Sequence, residues 1–123
     1  MAGNKKIYEK AIRNGLDLAW GGDWEGALEA YEVALAEMPD DPAVHSHVGL
    51  ACFELKRYEQ ALEVFNTALG IVPGNSDLLY SRALVAEKLG RIDLLEADIR
   101  TILKTEPDNA HALNALGFTL ADQ

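Results

Sequence analysis

The sequence predicts an all-α fold made of repeated helix pairs, and three observations predict it. Three of the four prolines, Pro39, Pro73 and Pro107, are evenly spaced, since 73 − 39 and 107 − 73 are equal. Between them the apolar residues recur at helical spacing: Val48, Ala51, Cys52 and Leu55, then Tyr58, Ala61, Leu62, Phe65 and Leu69. No stretch shows the apolar-polar alternation of a half-buried strand.

The proline period places unit starts at Tyr8, Pro42, Ser76 and Ala110. It divides the chain into an N-terminal tail 1–7, three full units 8–41, 42–75 and 76–109, and the first helix of a fourth, 110–123. That makes seven helices in one domain. The runs "YEVALAEMPD", "FNTALGIVPG" and "IRTILKTEPD" each end in a proline, which cannot continue the helix before it. The fourth proline, Pro42, suits a first helical turn, with Asp41 placed to cap the free N–H groups. Within each unit the two helices separate at "WGGDW", "ELKRY" and "KLGRI". Gly22 and Gly90 are placed there for the left-handed residue that ends a helix, and Lys56 takes the same position at a steric cost.

Composition narrows the function. A chain of 123 residues with 49% hydrophobic content is sized for one domain and is not disordered. Its net charge of −9 opposes phosphate backbones and anionic membrane surfaces, so neither nucleic acid nor a membrane is the expected partner. Cys52 is the only cysteine, so no intrachain disulfide can form and a reducing cytoplasm is the expected compartment. "MAGNKKIYEK" has no apolar signal-peptide core, and no run of about 18 apolar residues could span a bilayer.

Nothing in the chain assembles a catalytic or metal site. His45 and His47 are two apart on a helix and point to different faces, and His111 is remote in sequence. Cys52 falls on a core-facing position, without a base beside it. Glu25, Glu29 and Glu32 read as outward-facing, solvated carboxylates, and "WGGDW" lacks the lysine of a phosphate loop. No cofactor is expected and no enzymatic role is assigned.

The second unit carries Val48, Gly49, Tyr58, Ala61, Phe65, Ala68 and Pro73, and the first carries Gly15, Trp24, Ala27, Tyr31, Ala34 and Pro39 in the same slots. With Leu113, Leu116, Gly117 and Leu120 restarting the pattern, the chain resembles the tetratricopeptide repeat family from Tyr8 onward. The resemblance implies a right-handed α-solenoid of antiparallel helix pairs. In it the small residues let helices approach, while Trp24, Tyr31, Tyr58 and Phe65 fill the space opposite. Departures occur at Asn14 and Arg82, where the family has leucine, and at Leu95 and Ile102, where it has alanine. Those two large residues are expected to push the second helix of the third unit outward or rotate it.

The family resemblance also implies a non-catalytic protein or peptide partner, held on the concave face by the first helix of each unit. The groove positions it gives are Glu9, Ile12, Arg13, Leu16, Ala19 and Trp20 in the first unit, and Ala43, Ser46, His47, Leu50, Phe53 and Glu54 in the second. The third supplies Asp77, Tyr80, Ser81, Leu84, Glu87 and Lys88, and the fourth His111, Asn114, Ala115 and Phe118. Leu16, Leu50, Leu84 and Phe118 recur with the same period as the prolines and form an apolar rail, flanked by Trp20, Phe53 and Tyr80. Some family members hold a chaperone's C-terminal carboxylate in a lysine and asparagine clamp. The clamp positions fall here on Ile12, Leu16, His47, Asp77 and Ser81, which argues against that partner.

The final run "NAHALNALGFTLADQ" is a first helix with no second helix behind it, and it is not polar as a solenoid cap should be. Leu113, Leu116 and Leu120 therefore mark a self-association end, through which the chain is expected to form a homodimer if it serves as a building block rather than a binder. The regular first two units and divergent third raise a further expectation, of a truncated or engineered chain joining pieces of different origin. A continuous match to a natural repeat protein across residues 60–90 would remove it.

Overall fold

The computed structural model describes the backbone of residues 4–121 and the side chains of residues 4–115. Seven helices follow in order: α1 (Lys5–Trp20), α2 (Trp24–Glu37), α3 (Pro42–Glu54), α4 (Tyr58–Ile71), α5 (Ser76–Lys88), α6 (Ile92–Thr105) and α7 (Ala110–Ala121). Each packs on the next, and α3 also meets α5, so the first helices of successive units form a layer of their own. No strand occurs among the described residues.

Punctuation follows local chemistry. α1 begins at Lys5, ahead of the unit start at Tyr8, because the Asn4 side chain accepts from the Ile7 N–H and caps the helix there. Asp23, Asp41, Asn75 and Asn109 cap the helices that follow them in the same way. Met38, Val72 and Glu106 end α2, α4 and α6 with φ of −135°, −131° and −132°. Each precedes a proline, whose ring drives its predecessor out of the helical region.

Inside the units, Gly22, Lys56 and Gly90 have φ of 86°, 62° and 73°. The next residue's N–H turns back to close the helix end: Asp23 to Leu18 O, Arg57 to Cys52 O and Arg91 to Ala86 O, each at 2.8 Å.

Packing inside a unit pairs residues at one constant sequence offset, that from Gly15 to Tyr31 and from Gly49 to Phe65. A Cβ on Gly15 would collide with the Tyr31 ring, and one on Gly49 would sit 2.5 Å from Cζ of Phe65. Both rings are 2% exposed, as the small-against-large pattern requires. Trp24 and Tyr58 lie partly buried against the same core, and Cys52 is fully enclosed in it. Ala27, Ala34, Ala61 and Ala68 are fully buried, and in the third unit Leu95 and Ile102 take their places with equal burial.

The third unit uses the same offset for an ion pair. Arg82 donates through Nε and Nη2 to both carboxylate oxygens of Asp98, at 2.8 and 2.6 Å, and through Nη1 to Asn66 Oδ1 at 2.9 Å. The Asp98 side chain is 3% exposed. In the second unit the equivalent residues are Val48 and Val64, both packed in or against the core, so a charge pair stands where that unit has apolar side chains. The bidentate contact and burial account for an arginine in a leucine slot.

Candidate interaction surface

The first-helix layer carries the leucines of the rail. Leu16, Leu50 and Leu84 are 46%, 47% and 37% exposed, and Trp20, at the C-terminal end of α1, is 94% exposed. Apolar side chains left in water at one repeating position are costly unless something else uses them. Phe118, the fourth rung, lies outside the residues whose side chains are described, as do Leu116 and Leu120.

The flanking residues are more engaged than the rail. Phe53 is partly buried, with its ring edge-on to Tyr58 at 5.5 Å. Tyr80 is partly buried and tilted against His111 at 5.8 Å, and Ile12 packs on the core. His47 stacks on Tyr31 at 5.1 Å between ring centroids, and desolvation holds its pKa below the ordinary histidine value. His45 is buried with its Nε2 2.7 Å from Pro39 O, so the two histidines do part to different faces. Arg13, Lys88 and Asn114 are all exposed to solvent.

Two concavities open between successive first helices. One, of about 250 Å³ between α3 and α5, is lined by Pro42, Ala43, Ser46, Asn75, Asp77 and Leu78. The other, of about 310 Å³ between α5 and α7, is lined by Tyr80, Leu84, Glu87, His111, Asn114 and Ala115. Among the described residues no group of three or more His, Cys, Asp or Glu could hold a metal ion, and no helix is long and apolar enough to cross a membrane.

Several contacts between units were not anticipated from the sequence. Glu25, read as solvated, is paired with Arg57 of the next unit. Glu59 and Arg91 repeat that pair one unit on, at 3.4 Å. Arg57 and Arg91 sit at the N-caps of α4 and α6 without capping them, because a guanidinium has no acceptor for the free N–H groups, and they turn instead to these carboxylates. The signal was present as a glutamate and an arginine at one fixed separation, occurring twice. Within the first unit, the Tyr8 hydroxyl at its start donates to Asp41 Oδ2 at its end, at 2.5 Å. That bond, with burial and the carboxylate's charge, raises the Tyr8 pKa to about 12.

Position by position, inner and outer units differ. Ala11, His45 and Leu79 are 6%, 6% and 4% exposed, whereas Leu113 at the equivalent place on α7 is 49% exposed. The face of α7 that an accompanying second helix would cover is therefore open among the described residues.

Comparison with known proteins decides the family. A family model described as tetratricopeptide repeat matches residues 12–76, more than half of the 123. The chain belongs to the tetratricopeptide repeat family. A TPR repeat-containing protein of Pseudomonas aeruginosa is 45% identical over 65 residues, covering 53% of this chain and 11% of its own. Sperm-associated antigen 1 of Mus musculus is 31% identical over 102 residues, 83% of this chain and 11% of its own. The chain thus spans about a tenth of the length of these curated relatives. The second match is too long to avoid residues 60–90, so the expectation of joined pieces has no support.

Among solved structures, the Arabidopsis OM64 TPR domain superposes with a TM-score of 0.90 at 25% identity, covering 98% of this chain and 100% of that one. The first TPR of Spaghetti (RPAP3), bound to the HSP90 peptide SRMEEVD, superposes at 0.91 with 19% identity, covering 99% and 97%. These superpositions make this chain a right-handed TPR solenoid.

Proposed function

We propose that this TPR solenoid is a non-catalytic interaction module that holds a partner segment in the groove lined by α1, α3, α5 and α7. The observation that carries the reading is the rail of Leu16, Leu50 and Leu84, exposed at one repeating position on one face. The likeness to a domain bound to SRMEEVD supports peptide binding by this shape. It does not support that peptide for this chain, because Ile12, Leu16, His47, Asp77 and Ser81 at the clamp positions include no lysine, arginine or asparagine.

Panning a random peptide library against the chain and its Leu50→Glu variant tests the reading. The expected outcome is a set of peptides lost by Leu50→Glu while helicity and molar mass stay unchanged. Peptides that bind both forms equally would sink it.

A second reading, a building block that self-associates, is favoured by Leu113 alone. A second copy covering the open face of α7 would bury it. Light scattering over a wide concentration range is the check. A mass fixed near 13.4 kDa excludes the dimer, and a concentration-dependent mass that Leu113→Lys abolishes supports it.

A further inference from the structure

We infer that the groove selects a segment bearing basic side chains beside its apolar ones, a charge preference opposite to that of an acidic peptide tail. The inference rests on the groove reading above and adds the chemistry of the partner.

Each of the two concavities between first helices is edged, among the described residues, by one carboxylate and by no lysine or arginine: Asp77 between α3 and α5, Glu87 between α5 and α7. Neither carboxylate forms an ion pair among the described residues, whereas Glu9, farther along the same face, is engaged by Lys5 at 3.8 Å. Across the groove positions the acids Glu9, Glu54, Asp77 and Glu87 outnumber the bases Arg13 and Lys88. The net charge of −9 adds a field that favours a cationic partner's approach.

The surroundings of Glu87 fit a long basic side chain in particular. Leu84 offers an apolar wall for an aliphatic stem, and the Tyr80 ring offers a π face near the same concavity. Glu87 then receives the ammonium or guanidinium group as a charge-assisted hydrogen bond. Asp77 lies toward the other end of α5, about 15 Å away along the helix, with Leu84 between them. A ligand whose apolar residues cover the rail can therefore send basic side chains to both lips of the groove.

Two synthetic peptide libraries of equal length test this. Both carry leucine, phenylalanine and alanine at their apolar positions; the remaining positions are lysine or arginine in one and aspartate or glutamate in the other. Fluorescence anisotropy at pH 8, above the ordinary histidine range, measures binding to the wild-type chain and to Glu87→Gln, Asp77→Asn, Leu50→Glu and the surface control Glu63→Gln. The expected result is a basic library bound at least about tenfold more tightly than the acidic one. Glu87→Gln and Asp77→Asn should each weaken it about threefold to tenfold, Glu63→Gln should leave it unchanged, and Leu50→Glu should abolish it.

Equal binding of the two libraries that Leu50→Glu still abolishes overturns the charge preference and leaves the groove reading standing. So does a Glu87→Gln effect no larger than that of Glu63→Gln. Basic-library binding that Leu50→Glu leaves unchanged or strengthens is attraction to net charge and overturns both, as does no binding by either library.

Discussion

Cutting the Arg82–Asp98 pair from either side should have unequal costs, because the partners are unequally buried. Arg82→Val leaves Asp98, 3% exposed, without the two bonds of 2.8 and 2.6 Å that hold its charge in the interior. Breaking a buried pair in this way costs about 3–5 kcal/mol. Asp98→Val leaves Arg82 21% exposed and still bonded to Asn66 at 2.9 Å, so its charge reaches water and the cost falls to about 2–3 kcal/mol. The double variant places in the third unit the valines that the second unit packs in or against its core as Val48 and Val64, and should lie within about 1 kcal/mol of wild type. Urea unfolding followed by far-ultraviolet circular dichroism measures all four proteins. With a slope of about 1.5 kcal/mol per molar, Arg82→Val should lower the midpoint by about 2–3 M. Additive single effects, or an Arg82→Val cost no greater than that of Asp98→Val, would refute the argument.

Three further outcomes follow from the same structure. Gly49→Ala places a Cβ 2.5 Å from the buried Phe65 ring and should destabilise the fold by about 1–3 kcal/mol, read by thermal unfolding. Lys56→Gly should stabilise it by about 0.5–1 kcal/mol, because φ of 62° is strained for lysine while the added freedom of the unfolded glycine offsets only part of the relief. Tyr8 keeps its proton to about pH 12 in the folded chain against about 10 unfolded, so its contribution is complete below pH 10 and is lost as pH rises to 12. Denaturation titrations should show Tyr8→Phe less steeply destabilised across that window, with Tyr31, also raised by burial, supplying part of the slope that remains.

Much of this architecture was legible because it is written in residues with one dominant physical meaning. A proline ends the helix before it, and Gly22 and Gly90 permit the backbone that closes a first helix, so unit boundaries and breaks could be read directly. Gly15 and Gly49 each announce an aromatic ring at one fixed offset along the chain. What the sequence concealed were relations between charged residues, whose meaning depends on what lies opposite. Arg82 looked like a lapse in the pattern, although Asp98 stands at the same offset that joins Gly49 to Phe65. Among the groove residues, exposure was legible for the leucines and less so for Phe53, because Tyr58 at the start of the next helix draws its ring aside.

The departures from the repeat pattern carry positional information that an averaged unit would erase. Asn14 and Asp17 are exposed, while their equivalents Val48, Ala51 and Val85 are buried against the preceding unit. Among the described residues no helix covers them, so their polar groups stay in water at no cost. At the other end α7 keeps the apolar Leu113 where inner units bury theirs, a surface consistent with continued stacking. Arg82 and Asp98 show a third case, a polar exception made tolerable by its own partner. A residue that breaks the repeat therefore has to be judged by its neighbour: absent for Asn14, complementary for Arg82, and open for Leu113. The exposed leucines of the first-helix layer break no rule of the repeat, and packing within the described solenoid does not account for their exposure, which is why the proposed groove is built on them.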